Sequence, residues 1–226
     1  MKHIFVAIAL LVGLSPFAWA QCRDNVVLVH GNTSSPSSWN NTREQLYAQG
    51  YTDTQIFAPN WGSKTCASCN DHNGSEELPV REAILDAINQ SCSGKIDIIG
   101  HSMGVTLAAQ QVYKLGLSAD VDAFVGIAGA LRGLLSCGVY PYNVWNNTCG
   151  YHGLSVSSPF LDGLYGQQFA NRVYSIKSYA DQVVCATGSC YVYGIHSSRI
   201  WHKLLLLLTL LAILAYKPIP LLSRLV

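Results

Sequence analysis

The chain has 226 residues, a formal net charge of +1, and 12% charged against 50% hydrophobic residues. This length suits one domain with a hydrophobic core of its own. So few charges argue against nucleic acid or an acidic surface as the partner, and they favour an apolar substrate or interface.

The first 20 residues have the pattern of a secretory signal peptide. Lys2 and His3 precede an apolar core from Ile4 to Leu14, and Ala18-Trp19-Ala20 offers a cleavage site with small residues at its two key positions. The mature chain is therefore expected to begin at Gln21. This predicts a secreted or periplasmic protein.

All eight cysteines follow that cleavage site, and an even number of cysteines in an exported chain predicts disulfides. Their spacing favours the pairs Cys66–Cys69, Cys137–Cys149 and Cys185–Cys190, which leaves Cys22 with Cys92, although spacing alone does not determine the pairing. Cys66-Ala67-Ser68-Cys69 also has the form of a redox motif or half of a zinc site. No second closely spaced Cys or His pair accompanies it, so disulfide use is preferred.

Apolar runs of strand length alternate with helical patterns between residues 25 and 178. The predicted strands are 25–29, 54–58, 95–99, 123–128 and 172–176. Helices are predicted from Pro36 to Ala48, from near Pro79, and after Gly104. This alternation predicts an α/β fold with a mostly parallel sheet.

Residues 130–170 break this alternation, because Gly, Ser, Asn and aromatic residues dominate there. A long irregular stretch inside a compact domain is usually functional. We expect it to form a wall or partial lid over the site.

The motif that organises the chain is Gly100-His101-Ser102-Met103-Gly104, which lies between a predicted strand and a predicted helix. This context is typical of a nucleophile elbow, a turn so sharp that small residues must flank the serine. Ser102 is the predicted nucleophile, and the Met103 amide, at the start of the helix, can donate to an oxyanion. The alternative is a glycine-rich turn without catalytic meaning.

Asp181 is the candidate acid of a catalytic triad. It follows the strand 172–176 and comes after the serine, in the chain order Ser, Asp/Glu, His that accompanies a nucleophile elbow. Its alternative role is to cap a turn through Gln182 or Val183. Asp162 lies in the irregular stretch, while Asp120 and Asp122 precede a strand and are expected at the opposite edge of the sheet.

Only His196 and His202 follow Asp181 in the chain. His196, after the strand-like run 191–195, is the predicted base; His202 and the absence of a competent base are the alternatives. His30 and His101 are interpreted as scaffold or as packing of the pocket, since neighbours on a strand point to opposite faces and His101 cannot fold back onto Ser102. A metal site at Asp71 and His72 would need the nearby cysteines, so no metal is expected.

Three segments resemble the lipase class 2 family, a group of secreted lipases and esterases with the α/β-hydrolase fold. They are residues 27–31 (VLVHG), 99–104 (IGHSMG) and 175–181 (SIKSYAD). The resemblance implies a mostly parallel central sheet with helices on both faces in a domain of residues 21–200. It also implies Ser102 as nucleophile, Asp181 as acid, and the amides of Asn32 and Met103 as the oxyanion hole.

This resemblance implies hydrolysis of carboxylic esters, of the lipid or acylglycerol type, through an acyl-enzyme and without a metal or organic cofactor. The expected partners are a small ester or lipid and a lipid–water interface. The alternative from another class is a secreted α/β-hydrolase-like protein that binds a ligand without turnover.

The tail, residues 201–226, departs from the family pattern. Where a polar segment with the catalytic histidine is expected, residues 204–216 are almost entirely apolar. A membrane anchor, an amphipathic or core helix, and a frameshift product are the three explanations. As a helix this run would measure ~20 Å against a hydrocarbon core of ~30 Å, although Lys217 and Arg224 fit retention of a membrane segment.

Overall fold

The structure is a computed structural model that describes residues 22–200. The predicted signal peptide (1–20) and the apolar tail (201–226) lie outside the described residues. Within residues 22–200, every helix is too short or too polar to cross a membrane.

The described chain alternates strands and helices as predicted. In chain order the elements are β1 (Asn25–Val29), α1 (Asn40–Ala48), β2 (Ile56–Phe57), α2 (Glu77–Gln90), β3 (Ile96–His101), α3 (Met103–Leu115), β4 (Val121–Ile127), β5 (Leu134–Val139), β6 (Ser155–Val156), α4 (Pro159–Leu164), β7 (Arg172–Ile176), β8 (Tyr191–Val192) and β9 (Ile195–His196). Five of the strands form one parallel sheet in the order β2-β1-β3-β4-β7. The predicted α/β class and the parallel sheet are confirmed.

The two faces of the sheet carry separate hydrophobic clusters, and helices cover both. On β1, Val27 and Val29 pack in the cluster that holds the buried side chains of α2 and α3. Val26 and Leu28, which alternate with them, pack on the other face with Leu46 of α1. Period-2 alternation thus divides an apolar strand between two cores, as expected of a strand covered on both sides.

The helix predicted from Pro36 begins differently. Residues Pro36–Trp39 form a 3₁₀ turn, and the α-helix starts only at Asn40. Ser35 does not cap it, because its hydroxyl is hydrogen-bonded to the Ser37 hydroxyl instead. The predicted helix end is correct: α1 stops at Ala48, and Gly50 follows with a positive φ of 89°.

The stretch 130–170 is more ordered than the sequence indicates. It contains β5 and β6, which pair parallel with each other, and the short helix α4. Ser158 caps α4 by accepting a hydrogen bond from the Leu161 amide. The sequence did not predict these elements because each is short and is stabilised by tertiary contacts rather than marked by its own periodicity.

All four predicted disulfides are present: Cys22–Cys92, Cys66–Cys69, Cys137–Cys149 and Cys185–Cys190. Four disulfides fit a protein exported to an oxidising compartment.

Candidate active site

Ser102 forms the turn between β3 and α3. The turn is a single residue long, since β3 ends at His101 and α3 begins at Met103. Its φ of 52° and ψ of −127° are a conformation that residues with a side chain rarely adopt. The Ser102 amide donates a hydrogen bond of 2.8 Å to the Ile127 carbonyl at the end of β4. The turn is therefore strained and held by the neighbouring strand.

The glycines of the motif are required by close backbone approach. A Cβ at Gly104 would overlap the carbonyl oxygens of Val29 and His30, and one at Gly100 would come within 2.9 Å of the Val105 Cα. A Cβ at Gly31 would lie 3.1 Å from the Ser102 Cβ. Glycine lets the loop after β1 and the first turn of α3 meet beside the serine.

The two predicted oxyanion-hole residues line the same groove as Ser102. Met103 is the first residue of α3, where backbone amides lack partners within the helix and the helix dipole favours a negative charge. Asn32 follows β1 in a segment that Gly31 brings against the serine. The structure thus gathers Ser102, Asn32 and Met103 at the carboxyl edge of the sheet.

The side chain of Asn32 is held by the loop that carries the Cys66–Cys69 disulfide. Its Nδ2 donates to the Ala67 carbonyl at 2.9 Å, and its Oδ1 accepts from Asn70 Nδ2 at 2.6 Å. Asn70 is 1% exposed and also bonds both backbone groups of Ser63. Sequence reasoning missed Asn70 because it lies 38 positions from Asn32 and belongs to no motif.

The groove at Ser102 has a volume of about 270 Å³. Its walls come from the loop after β1, the Cys66–Cys69 loop, and β5 with the segment that follows it. The lining residues are Asn32, Ala67, Ser68, Ser102, Met103, Leu134, Ser136, Cys137, Asn146, Thr148, Cys149, Leu154 and Val183. The stretch predicted to be a wall over the site, residues 130–170, supplies seven of these thirteen residues.

Asp181 lies five residues beyond the end of β7. Its Oδ1 accepts hydrogen bonds from the amides of Val183 and Val184 at 2.9 and 2.8 Å, which is the turn-capping role weighed above. Within residues 22–200, the other carboxylate oxygen, Oδ2, accepts no hydrogen bond. Val183 lines the Ser102 groove, so the Asp181 turn borders the site.

The charge of Asp181 also affects the pKa of His101, the residue before the nucleophile. Desolvation lowers the pKa of His101, and the Asp181 carboxylate opposes this lowering. His101 immediately precedes Ser102, so the carboxylate lies within electrostatic range of the elbow.

Within residues 22–200, the hydrogen bonds of His196 go to backbone groups and not to Ser102. The residue is 2% exposed. Its Nδ1 accepts a hydrogen bond from the Ser198 amide at 3.1 Å, and its Nε2 therefore carries the hydrogen that it donates to the Ser178 carbonyl at 3.1 Å. Tyr179 and Tyr191 pack against the ring at centroid distances of 5.3 and 5.9 Å. Both ring nitrogens hydrogen-bond to backbone groups, so His196 joins the β8–β9 hairpin to the loop after β7.

Two other histidines are buried scaffold residues. His30 stacks on Trp61 at a centroid distance of 5.0 Å and accepts a hydrogen bond from its amide. His72 links the His152 carbonyl to the Thr106 hydroxyl on α3, and burial lowers its pKa to about 3. The interpretation of His30 as scaffold agrees with these contacts, and both ring nitrogens of His72 make hydrogen bonds within the protein.

Ligand-type atoms cluster in two places among residues 22–200. One cluster joins His196 to Cys185 and Cys190, whose sulfurs form a disulfide and so offer no thiolate. The other joins Asp24, Asp97 and Asp122, near the amino ends of the strands and away from Ser102.

Solved structures of several ester hydrolases align with part of this chain. A Bacillus licheniformis lipase in its mature form aligns over 66% of this chain and 60% of its own, with 14% identity and a TM-score of 0.45. A Paleococcus ferrophilus monoacylglycerol lipase aligns over 49% and 40%, with 19% identity and a TM-score of 0.37. A Legionella pneumophila phospholipase in complex with thio-NAD aligns over 62% and 32%, with 17% identity and a TM-score of 0.42. This chain thus spans less than two thirds of the length of each.

The family assignment rests on the sequence itself. The model of the family described as Lipase (class 2) matches residues 23–204, which include the elbow, Asn32 and Asp181. Because that match spans most of the chain, this protein belongs to the lipase class 2 family and has the α/β-hydrolase fold.

Proposed function

We propose that this protein is a secreted carboxylic ester hydrolase that cleaves lipid or acylglycerol esters, with Ser102 as its nucleophile. The observation that carries the proposal is the strained Ser102 at the β3–α3 turn, on the wall of a groove that also contains Asn32 and Met103. Membership of a lipase family supports ester hydrolysis as the class of reaction.

The geometry supports a two-step mechanism. The Ser102 hydroxyl attacks the ester carbonyl, a histidine takes its proton, and the alcohol leaves with that proton. Water then attacks the acyl-enzyme and releases the acid. The amides of Asn32 and Met103 would stabilise the oxyanion of each tetrahedral intermediate, an effect for which one donor contributes about 10²–10³-fold in rate.

The acid of the proposed triad is Asp181. It lies beyond the strand that adjoins β4, and one of its carboxylate oxygens is left without a partner among residues 22–200. That oxygen can accept from the ring N–H of a histidine and hold its tautomer. The turn cap through Oδ1 then fixes the carboxylate rather than replacing its catalytic role.

The catalytic base of the proposed triad is a different histidine from the one that the sequence favours. His196 is the preference from the sequence, but its two ring nitrogens are bound to the Ser178 carbonyl and the Ser198 amide. The other histidine after Asp181 is His202, which lies outside the described residues and inside the family match. We therefore assign the proton acceptor to His202.

The groove favours esters with an apolar acyl group. Leu134, Leu154 and Val183 line it, and its volume of about 270 Å³ accommodates part of an acyl chain next to Ser102. Alkyl groups gain about 0.8 kcal/mol for each methylene removed from water. Turnover of p-nitrophenyl esters should therefore rise from acetate to medium-chain esters.

The deciding experiment combines turnover of those esters with labelling by a fluorophosphonate probe. The parent chain should label and turn over ester, Ser102→Ala should do neither, and His202→Asn should lose most turnover. His196→Gln is the matched control: it removes an imidazole near the same segment, and its loss of activity should follow its loss of folded protein. Full activity in Ser102→Ala would exclude Ser102 as the nucleophile, and full activity in His202→Asn would exclude His202 as the base.

A second candidate is a ligand-binding protein without turnover. It is favoured by one observation, that no histidine among residues 22–200 hydrogen-bonds the Ser102 hydroxyl. A parent chain that is folded by circular dichroism but does not react with the fluorophosphonate would select this candidate.

A further inference from the structure

An uncharged stretch forms one side of the Ser102 groove. Residues 133–161 contain no Asp, Glu, Lys or Arg, in a chain whose charged fraction is 12%. The segment of interest within it is residues 139–151, which we name the aromatic loop. The aromatic loop has several exposed apolar or aromatic side chains and no charged ones. A cluster of exposed apolar side chains of this kind marks an interaction surface.

The tip of the aromatic loop exposes large rings. Trp145 is 97% exposed and Tyr142 is 92% exposed, whereas Trp39 and Trp61 are 6% and 2% exposed. Val144 lies between the two rings in sequence and is 48% exposed. Three exposed apolar or amphipathic side chains therefore lie within four consecutive residues.

The base of the loop is fastened on both sides. The Cys137–Cys149 disulfide closes it, and the Val144 amide donates to the Cys137 carbonyl at 2.9 Å. The Asn147 amide donates to the Ser68 carbonyl at 3.1 Å, which joins the loop to the Cys66–Cys69 turn. These bonds fasten the loop to its neighbours in a position where the rings of Tyr142 and Trp145 are exposed.

The aromatic loop is continuous with the groove at Ser102. Asn146, Thr148 and Cys149 belong to the loop and line that groove. A protein bound to the tip would cover the opening of the groove, whereas a lipid aggregate bound there would supply ester to it. The position therefore favours a lipid surface over a protein partner.

We propose that Tyr142, Val144 and Trp145 insert into the surface of an electrically neutral lipid aggregate and hold the Ser102 groove against it. Trp and Tyr prefer the boundary between headgroups and acyl chains, because one part of each ring system is apolar and another hydrogen-bonds. With no charge in the loop, the attraction does not depend on anionic lipid or on ionic strength. The proposal rests on ester hydrolysis at Ser102 for its purpose, but the binding itself does not require turnover.

The test measures binding of the full mature chain to phosphatidylcholine vesicles by co-sedimentation, in the Ser102→Ala background so that no ester is consumed. The double variant Tyr142→Ala/Trp145→Ala should bind about tenfold more weakly, which is the factor expected when roughly 1.4 kcal/mol of apolar burial is lost. Tyr113→Ala is the matched control, because Tyr113 is a 46% exposed tyrosine on α3, far along the chain from the loop, and it should leave binding unchanged.

Trp145 also reports its own environment. Its fluorescence should shift to shorter wavelength when vesicles are added, and Trp145→Phe should remove that shift while retaining most of the binding. Raising the salt concentration or replacing a fraction of the lipid with phosphatidylglycerol should change the affinity little.

Three results would overturn the proposal. They are undiminished vesicle binding by the double variant, binding that appears only with anionic lipid and is reversed by salt, and a dimer in sedimentation velocity that the double variant dissociates, which would assign the loop to a second copy. A parent chain that binds vesicles through the loop but fails to label with the fluorophosphonate would reject the proposed activity and leave this inference standing.

Discussion

At the scale of single residues, the site depends on a serine held in a conformation unfavourable for it. Ser102 has a φ of 52°, and its amide is tied to the Ile127 carbonyl across the sheet. Non-glycine residues held in such conformations cost about 1–3 kcal/mol. A residue kept there despite this cost indicates that its side chain, not its backbone, is what the position requires.

This strain can be measured by comparing two inactive variants. Ser102→Gly should be more stable than Ser102→Ala by about 1 kcal/mol in urea unfolding, because glycine adopts a positive φ without the Cβ penalty. The same two substitutions at Ser91, whose φ is −75°, should reverse the order. Equal stability of the two Ser102 variants would show that the turn carries no strain.

At the scale of elements, the crossing of α3 over the end of β1 sets the position of the nucleophile. Gly104, in the first turn of α3, lies directly against the backbone of Val29 and His30. Main-chain oxygens cannot move aside as a flexible side chain can.

Gly104→Ala should therefore destabilise the protein by about 3 kcal/mol or more, since overpacking against backbone forces the helix away from the sheet. Gly163→Ala in α4 is the control, because a Cβ there meets nothing within 4 Å and alanine favours a helix by about 1 kcal/mol over glycine. Thermal unfolding of both variants checks the contrast. Similar melting temperatures would contradict the close approach.

The β3–β4 pairing contains a second feature with a measurable consequence. Asp97 accepts a hydrogen bond from the Ala123 amide at 3.0 Å where the register of the two strands shifts. Burial raises the pKa of Asp97 to about 7, helped by the charges of Asp24 and Asp122 and opposed by the Ala123 hydrogen bond and by Arg172. The folded chain thus binds this proton more tightly than the unfolded chain does.

A raised carboxyl pKa removes stability as the pH increases from about 4 to about 7, because the unfolded chain releases the proton first. Asp97→Asn keeps the acceptor oxygen and abolishes the charge, so it should stabilise the protein at pH 8 by about 3 kcal/mol. At pH 4 the effect should nearly vanish. Urea unfolding of both proteins at the two pH values checks this, and a pH-independent difference would contradict it.

At the scale of the whole molecule, the disulfides differ in what they join. Cys22–Cys92 closes a separation of 70 residues and ties the start of the described chain to the segment before β3. Cys185–Cys190 closes a separation of five residues within the loop after β7. The longer closure restricts the unfolded chain more.

Replacing both cysteines of the Cys22–Cys92 pair by serine should lower the free energy of unfolding by about 4 kcal/mol, against roughly 2 kcal/mol for the Cys185–Cys190 pair. Denaturant unfolding of the two double variants measures this order. Thiol titration of the denatured, unreduced parent protein should find no free cysteine, and two or more free thiols would contradict the pairing.

Local patterns in the sequence determined the fold class. Each main strand, both glycines of the elbow and the three closely spaced cysteine pairs are recognised from short segments, because periodicity, turn sterics and close spacing are local constraints. The Cys22–Cys92 pair, separated by 70 residues, followed only by elimination. The short elements β5, β6 and α4 were not predicted, since long-range contacts rather than propensity stabilise them.

For the site, the sequence by itself determined that Ser102 lies at a turn and that Asp181 follows the strand β7. Only the tertiary structure decided which side chains meet there. Asn70 supports Asn32 across 38 residues, and the aromatic loop borders the groove. His196 follows Asp181 in the right order, yet its ring is bound to backbone groups on both nitrogens. Chain order restricts which residues can meet, but hydrogen bonds made in the folded chain decide which of them are free to react.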